Sequence, residues 1–301
     1  MKVKISSGKK FRLSLEDNKP LQIVGCVSAF CALMAERVGH KALYLSGAGV
    51  ANSSLGLPDL GITSLGDVLE DSKRITGITE LPLLVDIDTG WGGAFNISRT
   101  VKELSRARVS AVHIEDQVGQ KRCGHRPNKE MVSIEEMVDR IKSCVDSRET
   151  DDFFIMARTD AFANEGMQSS IDRTCAYVEA GADGIFTEAM TELGQYSQFK
   201  EAVKVPILAN MTEFGMTPLC DLDELKSAGV DMVLYPLSAF RAMSKAAFEV
   251  YQTLKNQGHQ KDIIKKMQTR KELYEILDYN TYENKLDELF NKEKEKNLNK
   301  T

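Results

Sequence analysis

Between residues 21 and 237, short apolar, β-branched runs alternate with amphipathic stretches. The runs are LQIVGCV (21–27), ALYLSG (42–47), LPLLVDID (81–88), AVHIEDQ (111–117), FFIMARTD (153–160), GIFTEA (184–189), VPILAN (205–210) and MVLYPL (232–237). Their length and composition predict strands. Between them, apolar positions recur at helical spacing, as from Phe95 to Arg108, Ile134 to Asp146 and Ser170 to Ala180. Gly181 and Gly229, each in an Ala-Gly-Ala or Ala-Gly-Val step, suit the left-handed position just past a helix end. Eight strands alternating with helices, without a linker or composition break, predict an α/β fold, a single (β/α)8 TIM barrel spanning 1–301. An open doubly wound sheet is the alternative, but Gly47-Ala48-Gly49-Val50-Ala51-Asn52 lacks the third glycine of a dinucleotide-binding turn.

From about residue 260 the pattern changes. Ile263, Ile264, Met267, Leu273, Ile276 and Leu277, then Tyr282, Leu286, Leu289 and Phe290, recur at helical spacing among many charges. These additional C-terminal helices (about 260–301) carry an apolar stripe with no strand to cover, so they should pack on the barrel or on a neighbouring subunit. The final KEKEKNLNKT reads as a frayed tail.

Composition narrows the function classes. Of 301 residues, 42% are hydrophobic and 28% charged, an ordinary globular balance. The net charge of −5, with basic residues dispersed, argues against nucleic-acid and anionic-membrane partners. The six cysteines, at 26, 31, 123, 144, 175 and 220, form no C-x-x-C and no zinc-finger spacing. MKVKISSGKKFR has no apolar core, so the expectation is a cytoplasmic protein with reduced thiols. No apolar run reaches membrane-spanning length.

The chemistry gathers at the strand ends. Strand residues i and i+2 share one side, and the carboxyl ends carry polar pairs: Asp86/Asp88, His113/Glu115, Arg158/Asp160 and Asn210/Thr212, with Glu188 on the sixth strand. Barrel interiors are filled by Val, Ile and Leu, and barrel active sites lie at this end. A lone polar residue there is more often a loop anchor, and His113 alone reads as a core or supporting histidine. Asp86 and Asp88 differ, because no Lys or Arg follows them directly. Two converging carboxylates repel unless a cation lies between them, and oxygen ligands suit Mg²⁺ or Mn²⁺ rather than zinc. In the loop Lys121-Arg122-Cys123-Gly124-His125-Arg126-Pro127, a cysteine lies among basic residues, as a reactive thiol would. Gly124 beside it permits a loop able to close over a substrate.

These residues resemble the isocitrate lyase/phosphoenolpyruvate mutase superfamily, and within it the branch that cleaves 2-methylisocitrate. The resemblance runs from about Val24 to Phe290. It is carried by YLSGAGVA (44–51), SLGLPDLG (54–61), VDIDTGWG (85–92), HIEDQVGQKRCGHRPNKE (113–130), IMARTDA (155–161), PILANMTEFG (206–215), YPLSAFRAM (235–243) and MQTRKELYE (267–275). The cysteine of KRCGHR separates the lyases from the mutases.

What the resemblance implies is a retro-aldol cleavage of a small tricarboxylate into pyruvate and succinate, within the methylcitrate cycle of propionate catabolism. Mg²⁺ on Asp86 and Asp88 would chelate the hydroxy-carboxylate. Arg158 would stabilise the oxyanion, and Cys123 would protonate the succinate carbanion. Ser46, Gly47 and Ala48 would grip the keto-acid end; Gly124, Asn210, Met211, Thr212, Arg241 and Arg270 would contact the rest of the substrate. Glu115 and Glu188 would order waters or the reacting hydroxyl, and Tyr44 is a candidate base. Phe186 and Leu234 resemble the pair that makes room for the substrate methyl. Two positions depart from the family pattern: Ala48 stands for a glycine and Thr187 for a proline. The resemblance further implies a homotetramer with a C-terminal helix exchanged between subunits. An oxaloacetate-cleaving hydrolase or an isocitrate lyase is the nearest alternative activity; a carbon–phosphorus mutase or hydrolase lacks the cysteine, and a non-catalytic barrel would not need these ligands.

Overall fold

The computed structural model describes residues 5–125 and 129–298, with side chains as far as residue 291. Arg126 and Pro127 of the basic loop, and the last three residues of the tail, lie outside the described residues. The chain falls into two compact units, Met1–Ala242 and Met243–Thr301.

The first unit is the eight-stranded parallel barrel that the alternating pattern predicts. Strands β1 (Leu21–Gly25), β2 (Ala42–Leu45), β3 (Leu83–Asp86), β4 (Ala111–Glu115), β5 (Phe154–Thr159), β6 (Gly184–Thr187), β7 (Ile207–Asn210) and β8 (Met232–Tyr235) pair in chain order. The barrel closes through β1 and β8, with Leu21 opposite Met232. The helices before the last strand are α1 (Ser7–Asp17), α2 (Ala29–Val38), α3 (Gly47–Gly49), α4 (Leu65–Ile78), α5 (Ala94–Arg106), α6 (Ile134–Asp146), α7 (Phe162–Glu179), α8 (Leu193–Val203) and α9 (Leu222–Ser227). Helix α7 starts well ahead of the Ser170 that periodicity marks, because it runs across a break at Gly166 (φ +80°). Gly181 and Gly229 are left-handed at φ +104° and +84°, as their places after helices require.

Two apolar layers follow from strand alternation. Side chains on one face of each strand pack under the helices, among them Leu43, Val85, Val112, Ile155, Ile185 and Val233. Those on the other face fill the barrel: Ile23, Leu84, Ala111, Met156, Phe186, Leu208 and Leu234. The inner layer includes a group that the strand pattern does not announce. Helix α1 brings Phe11 and Leu15 into it, and the Phe11 ring lies 5.2 Å from that of Phe154. The same inward positions turn polar toward the carboxyl ends of the strands, where Asp86, His113, Arg158 and Asn210 follow apolar residues two places earlier and Glu115 follows His113. This switch positions the site.

Helix α10 (Ser238–Gln257) leaves the barrel and enters the second unit, where a 3₁₀ turn (Lys261–Lys266), α11 (Arg270–Leu277) and α12 (Tyr279–Leu298) follow. The C-terminal helices are therefore present, and the tail expected to fray is helical as far as Leu298. No helix among the described residues is long and apolar enough to cross a membrane.

Candidate active site

Asp86 ends β3 and Asp88 follows in a turn that bends its carboxylate back toward its neighbour. Asp88 has φ +48°, a left-handed conformation that aspartate tolerates better than most residues. Both carboxylates face Gly47: a Cβ there would lie 3.0 Å from Asp88 Oδ1 and 3.2 Å from Asp86 Oδ2. The Gly47 N–H donates to Asp86 Oδ2 at 3.1 Å, and the Asp88 N–H donates to Asp86 Oδ1 at 3.0 Å. Glycine at 47 is what lets the start of α3 come this close to two acids.

No basic residue follows the acids directly, but Lys121 reaches them from the loop after β4. Its ammonium lies 2.7 Å from Asp88 Oδ1, an ion pair short of aligned hydrogen-bond geometry, and 2.5 Å from Asp59 Oδ1. Burial alone would lower the Lys121 pKa, but Asp88, Glu115, Asp86 and Asp59 outweigh it and keep the ammonium charged. Even so, burial and then Asp86 push the Asp88 carboxyl up to about 6. Asp86 is held below its usual range, since His113, Lys121 and Arg158 outweigh its burial.

Arg158 is gripped by acids. Its Nε and Nη2 donate to the two oxygens of Asp160 at 2.8 and 3.1 Å. Glu188 Oε2 and Glu115 Oε2 lie 3.3 and 3.4 Å from the same guanidinium, which is stacked over Phe186 at 5.0 Å. Burial opposes the charge, and Asp160, Glu188 and Glu115 more than restore it. Lys129 adds a second cation to Asp160 at 2.9 Å. Among the described residues, six carboxylates of this network (Asp59, Asp86, Asp88, Glu115, Asp160, Glu188) share three permanent cations (Lys121, Lys129, Arg158). Glu115 shows the excess: burial pushes its carboxyl well above the usual range, and its Oε1 is buried without a hydrogen-bond partner.

This donor set fits a divalent cation. The surplus is negative, the donors are oxygens, and Asp86 and Asp88 converge on one space. Among the described residues no group of three or more His, Cys, Asp or Glu closes on one point. A cation held by two carboxylates would keep its other positions for water and substrate, as Mg²⁺ sites do.

The cysteine loop covers this mouth. Gly124 sits so close beneath it that a Cβ would fall 2.4 Å from Arg158 Nη2 and 2.6 Å from Glu188 Cγ. His125 Nε2 meets Glu188 Oε1 at 2.9 Å, and its Nδ1 accepts the Met216 N–H at 3.1 Å. Burial would raise the Glu188 pKa, but Arg158 and His125 lower it, so Glu188 is an anion here. Cys123 is exposed and lines the same cavity as Asp86, Arg158 and Glu188.

Most of the residues singled out from the sequence meet at this cavity. Tyr44, Ser46, Ala48, Phe186, Asn210, Thr212, Leu234 and Arg241 all line it. The Tyr44 hydroxyl lies 2.9 Å from His113 Nε2 and donates to Asp86 at 3.5 Å. Burial, then Asp86, pushes that phenol well above its ordinary value, so it faces Asp86 and His113 as a protonated hydroxyl. Asn210 Nδ2 donates to Glu188 at 3.3 Å. Arg241 faces Glu213 at 3.6 Å and the Phe214 ring at 5.7 Å. Met211 does not join them: alternation along β7 turns it into the helix-side core, where its sulfur accepts the Cys220 N–H. Its side chain therefore faces away from the cavity that its neighbours Asn210 and Thr212 line. Arg270 opens α11 in the second unit. Lys121, Asp59, Lys129, Asp160 and His125 are partners to which the sequence reading gave no role of their own. The basic residues flanking Cys123 were the available signal for two of them.

The chain matches the phosphoenolpyruvate phosphomutase family model over residues 11–255. It belongs to that family. Within the phosphoenolpyruvate phosphomutase family it is 63% identical over 289 residues to the 2-methylisocitrate lyase of Shewanella oneidensis, covering 96% of this chain and 99% of that one. The crystal structure of 2,3-dimethylmalate lyase is similar at TM-score 0.86 and 33% identity, covering 93% of this chain and 95% of that one. Phosphonopyruvate hydrolase in complex with oxalate and Mg²⁺ is similar at TM-score 0.81 and 27% identity, covering 93% and 97%.

Proposed function

We propose that this protein is a carbon–carbon lyase that cleaves 2-methylisocitrate to pyruvate and succinate in the methylcitrate cycle of propionate catabolism. The observation that carries the reading is the seat of the KRCGHR loop: Gly124 rests on Arg158 and Glu188, which puts the Cys123 thiol on the cavity of the acid pair. The full-length identity to 2-methylisocitrate lyases supports the same substrate.

Asp86 and Asp88 would hold Mg²⁺, or Mn²⁺, which when bound draws negative charge onto the substrate's hydroxy-carboxylate oxygens. The Mg²⁺ in the phosphonopyruvate hydrolase complex supports that metal. Arg158, fixed by Asp160, presents its charge to the oxygen that becomes the pyruvate carbonyl. Ser46 and the backbone around Gly47 and Ala48 bind the keto-acid end, and Glu115 and Glu188 order the reacting hydroxyl and nearby water. That hydroxyl gives its proton to the anionic Glu188, directly or through an ordered water, and the C–O bond becomes a carbonyl as the C–C bond breaks. The electron pair left on the succinate carbon takes the proton of the Cys123 thiol. Asn210, Thr212, Gly124 and Arg241 hold the succinate carboxylates, with Arg270 assigned to them by the resemblance. Phe186 and Leu234 give the substrate methyl an apolar place. One methyl is worth ~1–3 kcal/mol there, so isocitrate is turned over ~10- to 200-fold less efficiently.

The same reading makes the protein a cytoplasmic homotetramer with C-terminal helices swapped between subunits. Exposed Phe248, Tyr251, Leu286, Leu289 and Phe290 in the second unit support it. Light scattering behind gel filtration tests the assembly. Cys123→Ser tests the chemistry: it should keep Mg²⁺ binding and lose nearly all pyruvate release, and normal turnover would place the proton donor elsewhere.

A further inference from the structure

We infer that Gln117 and Lys129 are positioning residues for Cys123, each clipping the loop backbone one residue away from the thiol. The inference rests on the proton-donor role given to Cys123 above.

The two residues sit in the two feet of the loop. Gln117 and Met131 pair antiparallel, the Val118 N–H donates to Glu130 O at 2.9 Å, and the Val132 N–H donates to Asp116 O at 2.8 Å. From the first foot, the buried Gln117 carboxamide makes two hydrogen bonds to one residue. Its Nε2 donates to Arg122 O at 2.9 Å, and the Arg122 N–H donates to its Oε1 at 2.9 Å. A side chain used this way stands in for a neighbouring strand and stops the peptide before Cys123 from turning. From the second foot, Lys129 Nζ donates to Gly124 O at 2.6 Å and to Asp160 Oδ1 at 2.9 Å. It therefore ties the far side of Cys123 to the carboxylate that fixes Arg158.

Gln117 is 1% exposed and Lys129 3%. Burying an amide and an ammonium costs free energy unless their partners stay in place. Satisfying stray loop carbonyls would be the plainer role. Both side chains, however, land on the residues flanking one cysteine and come from opposite ends of its loop. A proton donor misplaced by ~1 Å loses ~10²-fold in rate, which gives such a clamp its purpose.

The test is Gln117→Met, which keeps the length and removes both hydrogen bonds, with Gln117→Glu as a second variant that turns the donor into an oxygen facing Arg122 O. Either should lower kcat ~10²-fold while KM changes little. Tryptic cutting after Arg122, followed well below the melting temperature of each variant, should accelerate about tenfold, because the loop is released first. Wild-type kcat and wild-type cutting in both variants would overturn the inference. Cys123→Ser separates the two readings. Wild-type turnover in it overturns the proton-donor assignment and the positioning role together. An inactive Cys123→Ser beside fully active Gln117 variants overturns the positioning role alone.

Discussion

Lys121 and Asp88 meet at 2.7 Å inside the barrel mouth, the lysine 5% and the aspartate 4% exposed. The pair joins β3 to the loop that carries Cys123, so the acid pair and the thiol are mechanically linked. It also sets a competition, because the ammonium and a divalent cation draw on the same carboxylates. Removing one partner of a buried pair costs ~3–5 kcal/mol by leaving the other uncompensated. Lys121→Met should therefore be destabilised in the absence of metal. Magnesium should then raise its melting temperature more than it raises that of the wild type. Equal shifts in differential scanning fluorimetry would mean that Lys121 and the metal do not share Asp88.

Gly124→Ala puts a methyl group where Arg158 Nη2 stands 2.4 Å away. The loop cannot seat against that contact, so turnover should fall by ~10²-fold or more, the effect of a misplaced reacting group. Because the rest of the barrel is untouched, the unfolding midpoint should move little. Full activity in steady-state pyruvate release would show that the seated loop is not the reactive one.

Phe11 closes the inner layer from α1 and is fully buried. Phe11→Ala should cost ~3–5 kcal/mol of stability, the usual price of an emptied aromatic site in a core. Urea unfolding followed by circular dichroism measures it. A loss under ~1 kcal/mol would make α1 an ornament of the barrel rather than part of its core.

These sites differ in how plainly the sequence announces them. The strands were readable because each apolar run is short and bounded, and because the inward positions switch from Leu84 to Asp86 and from Met156 to Arg158 within two residues. The period of two carries both the fold and the location of the site. Helix α1 is not readable, since Phe11, Leu13 and Leu15 alternate as a strand would and only the Phe11/Leu15 pair has helical spacing. The Lys121–Asp88 pair spans 33 positions, and only the closed barrel brings the loop after β4 over the end of β3. Alternation along β7 points the Asn210 side chain inward and the Met211 side chain out, a difference that a contiguous motif does not display. The clamp on Cys123 depends on hydrogen bonds to backbone atoms, for which side-chain spacing holds no sign.

The central claim is the cleavage itself, and product analysis tests it most directly. Purified protein given 2-methylisocitrate and Mg²⁺ should release pyruvate and succinate in equal amounts, faster than it acts on isocitrate or oxaloacetate. EDTA should stop the release and added Mg²⁺ restore it. Oxaloacetate turnover exceeding that of methylisocitrate, or pyruvate release indifferent to EDTA, would contradict the account.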